Sequence, residues 1–264
     1  MLIAHAAGQL DATDAGFVHA VALAARAGAR LVSIHAGPAA DPERLPRAQA
    51  LLQRWGRAER VQHDWVVEGS ELDAPEDVLA VLRRLAPDLL VASTHARSGF
   101  GRLFSGSVAE ALARNLSVPA VLLPLPGGGF VDPSTGAIEL GRLIVPAGTS
   151  EDARCGVEHA LALSGVAGVS EGEIVVIHAG EPGLMAPSPR VPPGFRVHVR
   201  SAELPIESAV AACAQELSPC VIVMATHGHD GLGDVLLGSH TERVLHGARR
   251  PLLWVPAQAC AAGV

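Results

Sequence analysis

The stretch STHARSGFGRLFSGSVAE at residues 93–110 returns in outline as ATHGHDGLGDVLLGSHTE at 225–242. His95 falls on His227 and Gly106 on Gly238, each pair 132 positions apart. Each copy leads into a short helical stretch and then an apolar run bounded by prolines, VPAVLLP (118–124) in one and RPLLWVP (250–256) in the other. Working outward, LVSIHAG (31–37) pairs with IVVIHAG (174–180), and MLIAHAAG (1–8) with RLIVPAGT (142–149). Four matched blocks in one order make the chain a tandem duplication, and a repeat of this length fixes the fold before any single motif does.

Within each copy the period alternates between strand and helix. Helical stretches are expected around 13–27 and 151–165. Val78, Val81, Leu82 and Leu85 recur at helical spacing, as do Ile206, Val210, Cys213, Ala214 and Leu217. Each of these two helices runs into a proline and a wholly apolar strand, PDLLVAST (87–94) or PCVIVMAT (219–226). Strands that alternate with helices imply βαβ units with right-handed crossovers and a parallel sheet. The boundary is compositional: LPLPGGGFVDPSTGAIELG (123–141) is rich in Pro and Gly and has no helical period. The expected units are therefore 1–125 and 142–258, joined by a linker at 126–141. PERLPRAQALLQRWGRAERV (42–61) has helix-forming composition, whereas its counterpart GEPGLMAPSPRVPPGF (180–195) carries five prolines and reads as irregular.

Composition suits this fold. Of 264 residues 49% are apolar and 18% charged, with five Phe, three Trp and no Tyr, so the cores must be aliphatic. A net charge of −7 disfavours a nucleic-acid partner. No apolar run approaches the roughly 20 residues needed to span a bilayer, and MLIAHAAGQLD lacks the basic start of a signal peptide. A cytoplasmic protein without membrane contact is expected. Its four cysteines (155, 213, 220, 260) are then expected to be free thiols, with Cys260 the most reactive.

Ligands in open α/β sheets bind beyond the carboxyl ends of the strands. There the second copy offers small residues and Gly238-Ser239 at the start of a helix, whose free N–H groups suit phosphate. Ser107-x-x-Glu110 and Ser239-x-x-Glu242 equally fit capping boxes that serve only their own helices.

These residues resemble the universal stress proteins in their tandem form. Nucleotide-binding members of that family carry G-x2-G-x9-G-[ST] after the fourth strand. The second copy reads Ala225-x2-Gly228-x9-Gly238-Ser239 and the first Ser93-x2-Ala96-x9-Gly106-Ser107. The resemblance implies two tandem Rossmann-like units of the adenine-nucleotide-alpha-hydrolase type, each a five-stranded parallel sheet with helices on both faces. It implies ATP or a related adenine nucleotide, with Mg²⁺, in the second copy. Its lining would be Pro146, Ala147, Gly148, Ala179, Met224, Ala225, Gly228, Gly238, Ser239, His240 and Thr241. The set Ser93, Ala96, Gly106 and Ser107 is a degenerate site. The family's Asp after the first strand is missing: the alignment places Ala6 there in one copy and Gly148 in the other. The resemblance further implies that AVLLP and LLWVP pair antiparallel, making an intramolecular pseudo-dimer with Trp254 between the halves, and a homodimer is a further possible assembly.

Other chemistries have less support. His227, His229, Asp230, His240 and His246 lack the spacing of a structural zinc site. His35 and His178 close the second strand of each copy and fit a base pocket or a satisfied polar position. No G-x-S-x-G elbow and no GK[ST] occurs, so an enzyme beyond a slow ATPase is not expected. The open functional readings are a nucleotide-binding stress protein, a nucleotide-free interaction module, and a slow ATPase.

Overall fold

The computed structural model describes the chain except residues 9, 38–40, 70–73, 96–116, 126–128, 179–190, 203–204, 226–247 and 262–264. The first half contributes β1 (Leu2–Ala6), α1 (Ala15–Ala27), β2 (Arg30–Ala36), α2 (Ala48–Arg54), β3 (His63–Glu68), α3 (Ala74–Leu85), β4 (Leu89–His95) and β5 (Ala120–Leu125). The second contributes β6 (Arg142–Ala147), α4 (Ser150–Val166), β7 (Gly172–His178), β8 (Phe195–Ser201), α5 (Ile206–Glu216), β9 (Val221–Ala225), β10 (Leu252–Val255) and α6 (Ala257–Ala261). The helical composition of 42–61 forms a 3₁₀ turn at Pro42–Arg44 and α2.

All ten strands belong to one sheet, in the order β3-β2-β1-β4-β5-β10-β9-β6-β7-β8. Neighbours within each half run parallel. The halves join where β10 meets β5 antiparallel, with Leu253 opposite Val121 and Trp254 opposite Ala120. Two unpaired apolar edges thereby satisfy each other's backbone groups. Each face of the sheet carries a core that crosses the joint. One lies under α1, α2 and α4 (Ile3, Phe17, Val121, Val145, Leu163, Leu253) and the other under α3 and α5 (Val32, Leu79, Leu122, Ile144, Ala214, Leu252).

Strand pairing corrects one alignment by a single residue. Ile3 lies beside Leu31 and Leu89, and Leu143 lies beside Ile174 and Val221. Leu31 matches Ile174 and Leu89 matches Val221 in the repeat, so the partner of Ile3 is Leu143 and not Ile144. His5 thus corresponds to Val145, and Ala6 to Pro146 rather than to Ala147. A one-residue slip exchanges the two faces of a strand, so only this register keeps apolar residues of both copies under the same helices.

The same offset continues into the helices. Gly28 and Gly168 end α1 and α4 regions with positive φ of 61° and 66°, where glycine has no Cβ to strain. His19 and His159 each place Nδ1 on the carbonyl four residues earlier. α4, however, starts earlier than α1. It opens on a Thr149–Asp152 capping box directly after β6, whereas α1 is delayed until its cap at Asp14.

The cysteine expectation is overturned in part. Cys155 on α4 and Cys260 on α6 form a disulfide across 105 residues, and both are buried. The chain turns back over α4 after β10 and brings the two Cα atoms to 5.4 Å, a separation a disulfide spans. Cys260 is therefore not an exposed reactive thiol. Cys213 and Cys220 are buried and free. Burial raises both thiols, Cys220 to about 11, which keeps them protonated and inert.

Candidate functional site

In each half the strand order reverses between two neighbours, β1 and β4 in the first, β6 and β9 in the second. Crevices at such switch points, beyond the carboxyl ends of the strands, are where open α/β sheets bind ligands. The two crevices are built differently.

In the second half β9 ends at Ala225, beside β6. Met224, Ala225 and Pro146 are half-buried, Ala147 is buried, and Gly148 is exposed. A Cβ on Gly148 would meet only Asp152 Oδ2 at 3.6 Å, so the chain leaves open space there. His178 is buried, with Nδ1 at 3.2 Å from the Ala147 carbonyl. Ala179, Gly228, Gly238, Ser239, His240 and Thr241 lie outside the described residues, as do Ala96, Gly106 and Ser107 of the first half. The histidine cluster 227–246 lies outside them too. Among the described residues no group of three His, Cys, Asp or Glu is placed to hold a metal.

In the first half the crevice carries a polar cluster. Ser93, at the end of β4, donates to Asp14 Oδ2 at 2.9 Å and accepts from the Gly16 amide at 2.8 Å. Asp14 caps α1 by accepting from the Phe17 amide at 3.1 Å, and its Oδ1 lies 3.4 Å from His5 Nε2. From His5 the polar row continues across the sheet. His5 Nδ1 is 3.1 Å from Ser33 Oγ on β2, Ser33 Oγ is 2.9 Å from His63 Nε2 on β3, and His63 Nδ1 accepts from the Ala48 amide at 3.2 Å. His5 and Ser33 are fully buried. Phe17 and Trp65 enclose the row, with ring centroids 5.7 Å and 6.4 Å from His5.

Electrostatics fix the charge of this crevice. Burial alone would raise Asp14, but hydrogen bonding and attraction from His5, with bonds from Ser93 and Phe17, outweigh it and hold the carboxyl below its usual value. The carboxylate therefore stands ionised at the mouth of the first crevice. Burial lowers His63 to about 4 and His19 to about 4, so both are neutral near pH 7.

Of the expected first-half residues, only Ser93 is placed in this cluster. His5, Asp14, Ser33 and His63 escaped the motif reading. The missed signal was in the repeat itself: in correct register they face Val145 (for His5), Val176 (for Ser33) and Val197 (for His63), while Ser93 faces Ala225. Asp14 also supplies a carboxylate that Ala6 cannot, reaching the crevice from the helix cap.

The profile of the universal stress protein family matches residues 3–124 and 190–256. The chain belongs to the universal stress protein family. The second match starts after β7, so the first two strands of the second half lie outside it although they complete the sheet. No curated protein matches the sequence. Among solved structures, a functionally unknown protein from Pseudomonas aeruginosa PAO1 superposes with a TM-score of 0.67 at 13% identity, over 99% of this chain and 94% of its own. A universal stress protein from Archaeoglobus fulgidus DSM 4304 superposes at 0.63 with 14% identity, over 97% and 96%. At such identities these likenesses show that the tandem universal stress protein shares its fold with them. No helix among the described residues is long and apolar enough to cross a membrane.

Proposed function

We propose that this protein acts in stress response by binding ATP or a related adenine nucleotide, with Mg²⁺, in its second half only. The observation that carries this reading is the position of Ala225-x2-Gly228-x9-Gly238-Ser239: it begins where β9 ends, at the β6–β9 switch point. Small residues close the strands there (Ala147, Gly148, Ala225), so nothing described blocks a base or a phosphate from approaching the backbone.

The first half supports the asymmetry. A polyphosphate entering the β1–β4 crevice would meet the ionised Asp14, and like charges repel strongly where solvent is excluded. At the position of Asp14 the second half carries Arg154, which pairs with Glu158 at 2.9 Å. Binding without fast turnover fits a chain that has no Walker lysine. The pseudo-dimer is self-contained at β5–β10, and a homodimer would have to use another face.

The experiment is extraction of the purified protein for bound adenine nucleotide, together with a thermal-shift series in ATP and Mg²⁺. One nucleotide per chain, abolished by Gly238→Val and retained in Gly106→Val, is expected. An empty extract with no shift at millimolar ATP overturns the reading and favours an interaction module.

A further inference from the structure

Two histidines that correspond in the repeat are completed differently. His19 on α1 and His159 on α4 are both buried. Each sets Nδ1 against the carbonyl four residues earlier, that of Ala15 at 2.7 Å and that of Cys155 at 3.0 Å. A carbonyl can only accept, so Nδ1 carries a hydrogen in both rings and Nε2 of the neutral ring is an acceptor.

In the first half that acceptor is used. His19 Nε2 takes the Phe130 amide at 2.9 Å and the Val131 amide at 3.2 Å. The Phe130 ring stands perpendicular to the imidazole, with centroids 4.7 Å apart. The segment between the halves thus brings an aromatic ring and N–H donors to His19 together. In the second half both described contacts of His159, to the Cys155 carbonyl and to the Cys155 sulfur at 3.6 Å, are made by Nδ1. Its Nε2 bonds no group among the described residues, although the side chain belongs to a residue only 6% exposed. Buried acceptors in native proteins are as a rule supplied with a donor.

His159 also lines a cleft of about 210 Å³ beside the joint. Leu89 and Pro119 of the first half and Leu163, Val166 and Leu253 of the second form its walls. Asp88 stands exposed on the rim, where its Oδ2 accepts from the Leu2 amide at 2.7 Å. His159 is therefore the buried polar side chain among the described lining residues. An apolar cavity of about 150 Å³ holds benzene, so this cleft has room for a ring with a small substituent.

We propose that the cleft binds a small neutral aromatic molecule with one hydroxyl or N–H group, of the phenol or indole class. That group donates to His159 Nε2, and the ring lies against Leu163, Val166 and Leu253. The ligand supplies the second half with what Phe130 and its amide give the first. Apolar walls disfavour an ionised substituent, because a charge taken from water there finds no partner. A molecule without a donor fills the cleft but leaves Nε2 unmet. Because both halves line the cleft, an occupant touches each side of the β5–β10 joint and stabilises the folded chain by mass action. Leu89 opens β4 and Pro119 precedes β5, so the cleft lies at the amino ends of those strands, away from the carboxyl-end switch points. It does not depend on nucleotide binding.

The test is a phenol titration of the full chain at neutral pH, without nucleotide, followed by NMR of the His159 ring nitrogens and the Leu163 and Leu253 methyl groups. Phenol should bind saturably at millimolar concentration or below and move Nε2 together with both methyl groups. The Ile222 methyl groups, in the core on the opposite face of the sheet, should stay unchanged. Toluene, with the ring and no donor, should bind about threefold to tenfold more weakly, the worth of one hydrogen bond. In His159→Leu phenol should lose its advantage over toluene. An absence of saturable shifts in the wild-type chain overturns the proposal, whether or not that variant folds. So does toluene binding as tightly as phenol, an Ile222 response equal to that of the cleft, or a folded His159→Leu chain in which phenol keeps its advantage.

Discussion

His19 shows how one side chain can set a pH response. Its Nδ1–H donates to the Ala15 carbonyl at 2.7 Å, and its Nε2 accepts from the amides of Phe130 at 2.9 Å and Val131 at 3.2 Å. Through that nitrogen α1 holds the segment between the halves. A protonated ring would turn a hydrogen toward two donors, and burial already lowers the residue to about 4. The unfolded chain takes this proton near pH 6.5, before the folded one does, so the contribution is intact above that pH and is lost as pH falls toward 4. A shift from 6.5 to about 4 corresponds to about 3 kcal/mol at full loss. Urea denaturation at pH 7.5 and 4.5 should show this fall, and His19→Leu should flatten it while costing about 1–3 kcal/mol at pH 7.5 through its orphaned amides. Asp14→Ala removes a helix cap and the partner of Ser93 together, and should cost about 1–3 kcal/mol in the same assay.

At the scale of elements, close approach decides where helices sit on the sheet. A Cβ on Gly156 in α4 would lie 2.4 Å from Val145 Cγ1. Gly16 occupies the matching place in α1, where a Cβ would come within 2.8 Å of Ser93 Oγ and 3.1 Å of His5 Nε2. Both copies thus keep a glycine so that the helix can rest on the first strand, one over Val and one over His. Gly156→Ala is expected to destabilise by about 1–3 kcal/mol through overpacking. Val145→Ala should recover part of that loss, giving a double-mutant coupling of at least about 0.5 kcal/mol in equilibrium unfolding. Without coupling, the contact does not set the helix position.

For the whole molecule, the sheet and both cores run through the β5–β10 joint, and the disulfide ties the chain end to α4. Such continuity predicts one cooperative unfolding transition rather than two, checked by agreement of calorimetric and van't Hoff enthalpies. Leu253→Arg would bury a guanidinium against Val121 at the joint and should split the transition or unfold the chain. The double variant Cys155→Ser/Cys260→Ser should be less stable than the wild-type chain by roughly 2–4 kcal/mol, because the disulfide closes a loop of about a hundred residues.

Much of this protein is local pattern, and local pattern is readable. The duplication, the alternation of strand and helix, the amphipathic stripes of α3 and α5 and the Pro/Gly boundary all follow from periodicity and residue type, which act within a few neighbours. What tertiary structure decided was proximity between segments far apart in the chain. His5, Asp14, Ser33, His63 and Ser93 come from four strands and a helix cap, and nothing in the spacing of any one element announces that their side chains meet. Cys155 and Cys260 are separated by 105 residues and became a pair only because the end of the chain folds back over α4. The one-residue register of β1 against β6 was likewise settled by which face each strand buries, a condition imposed by the helices above it.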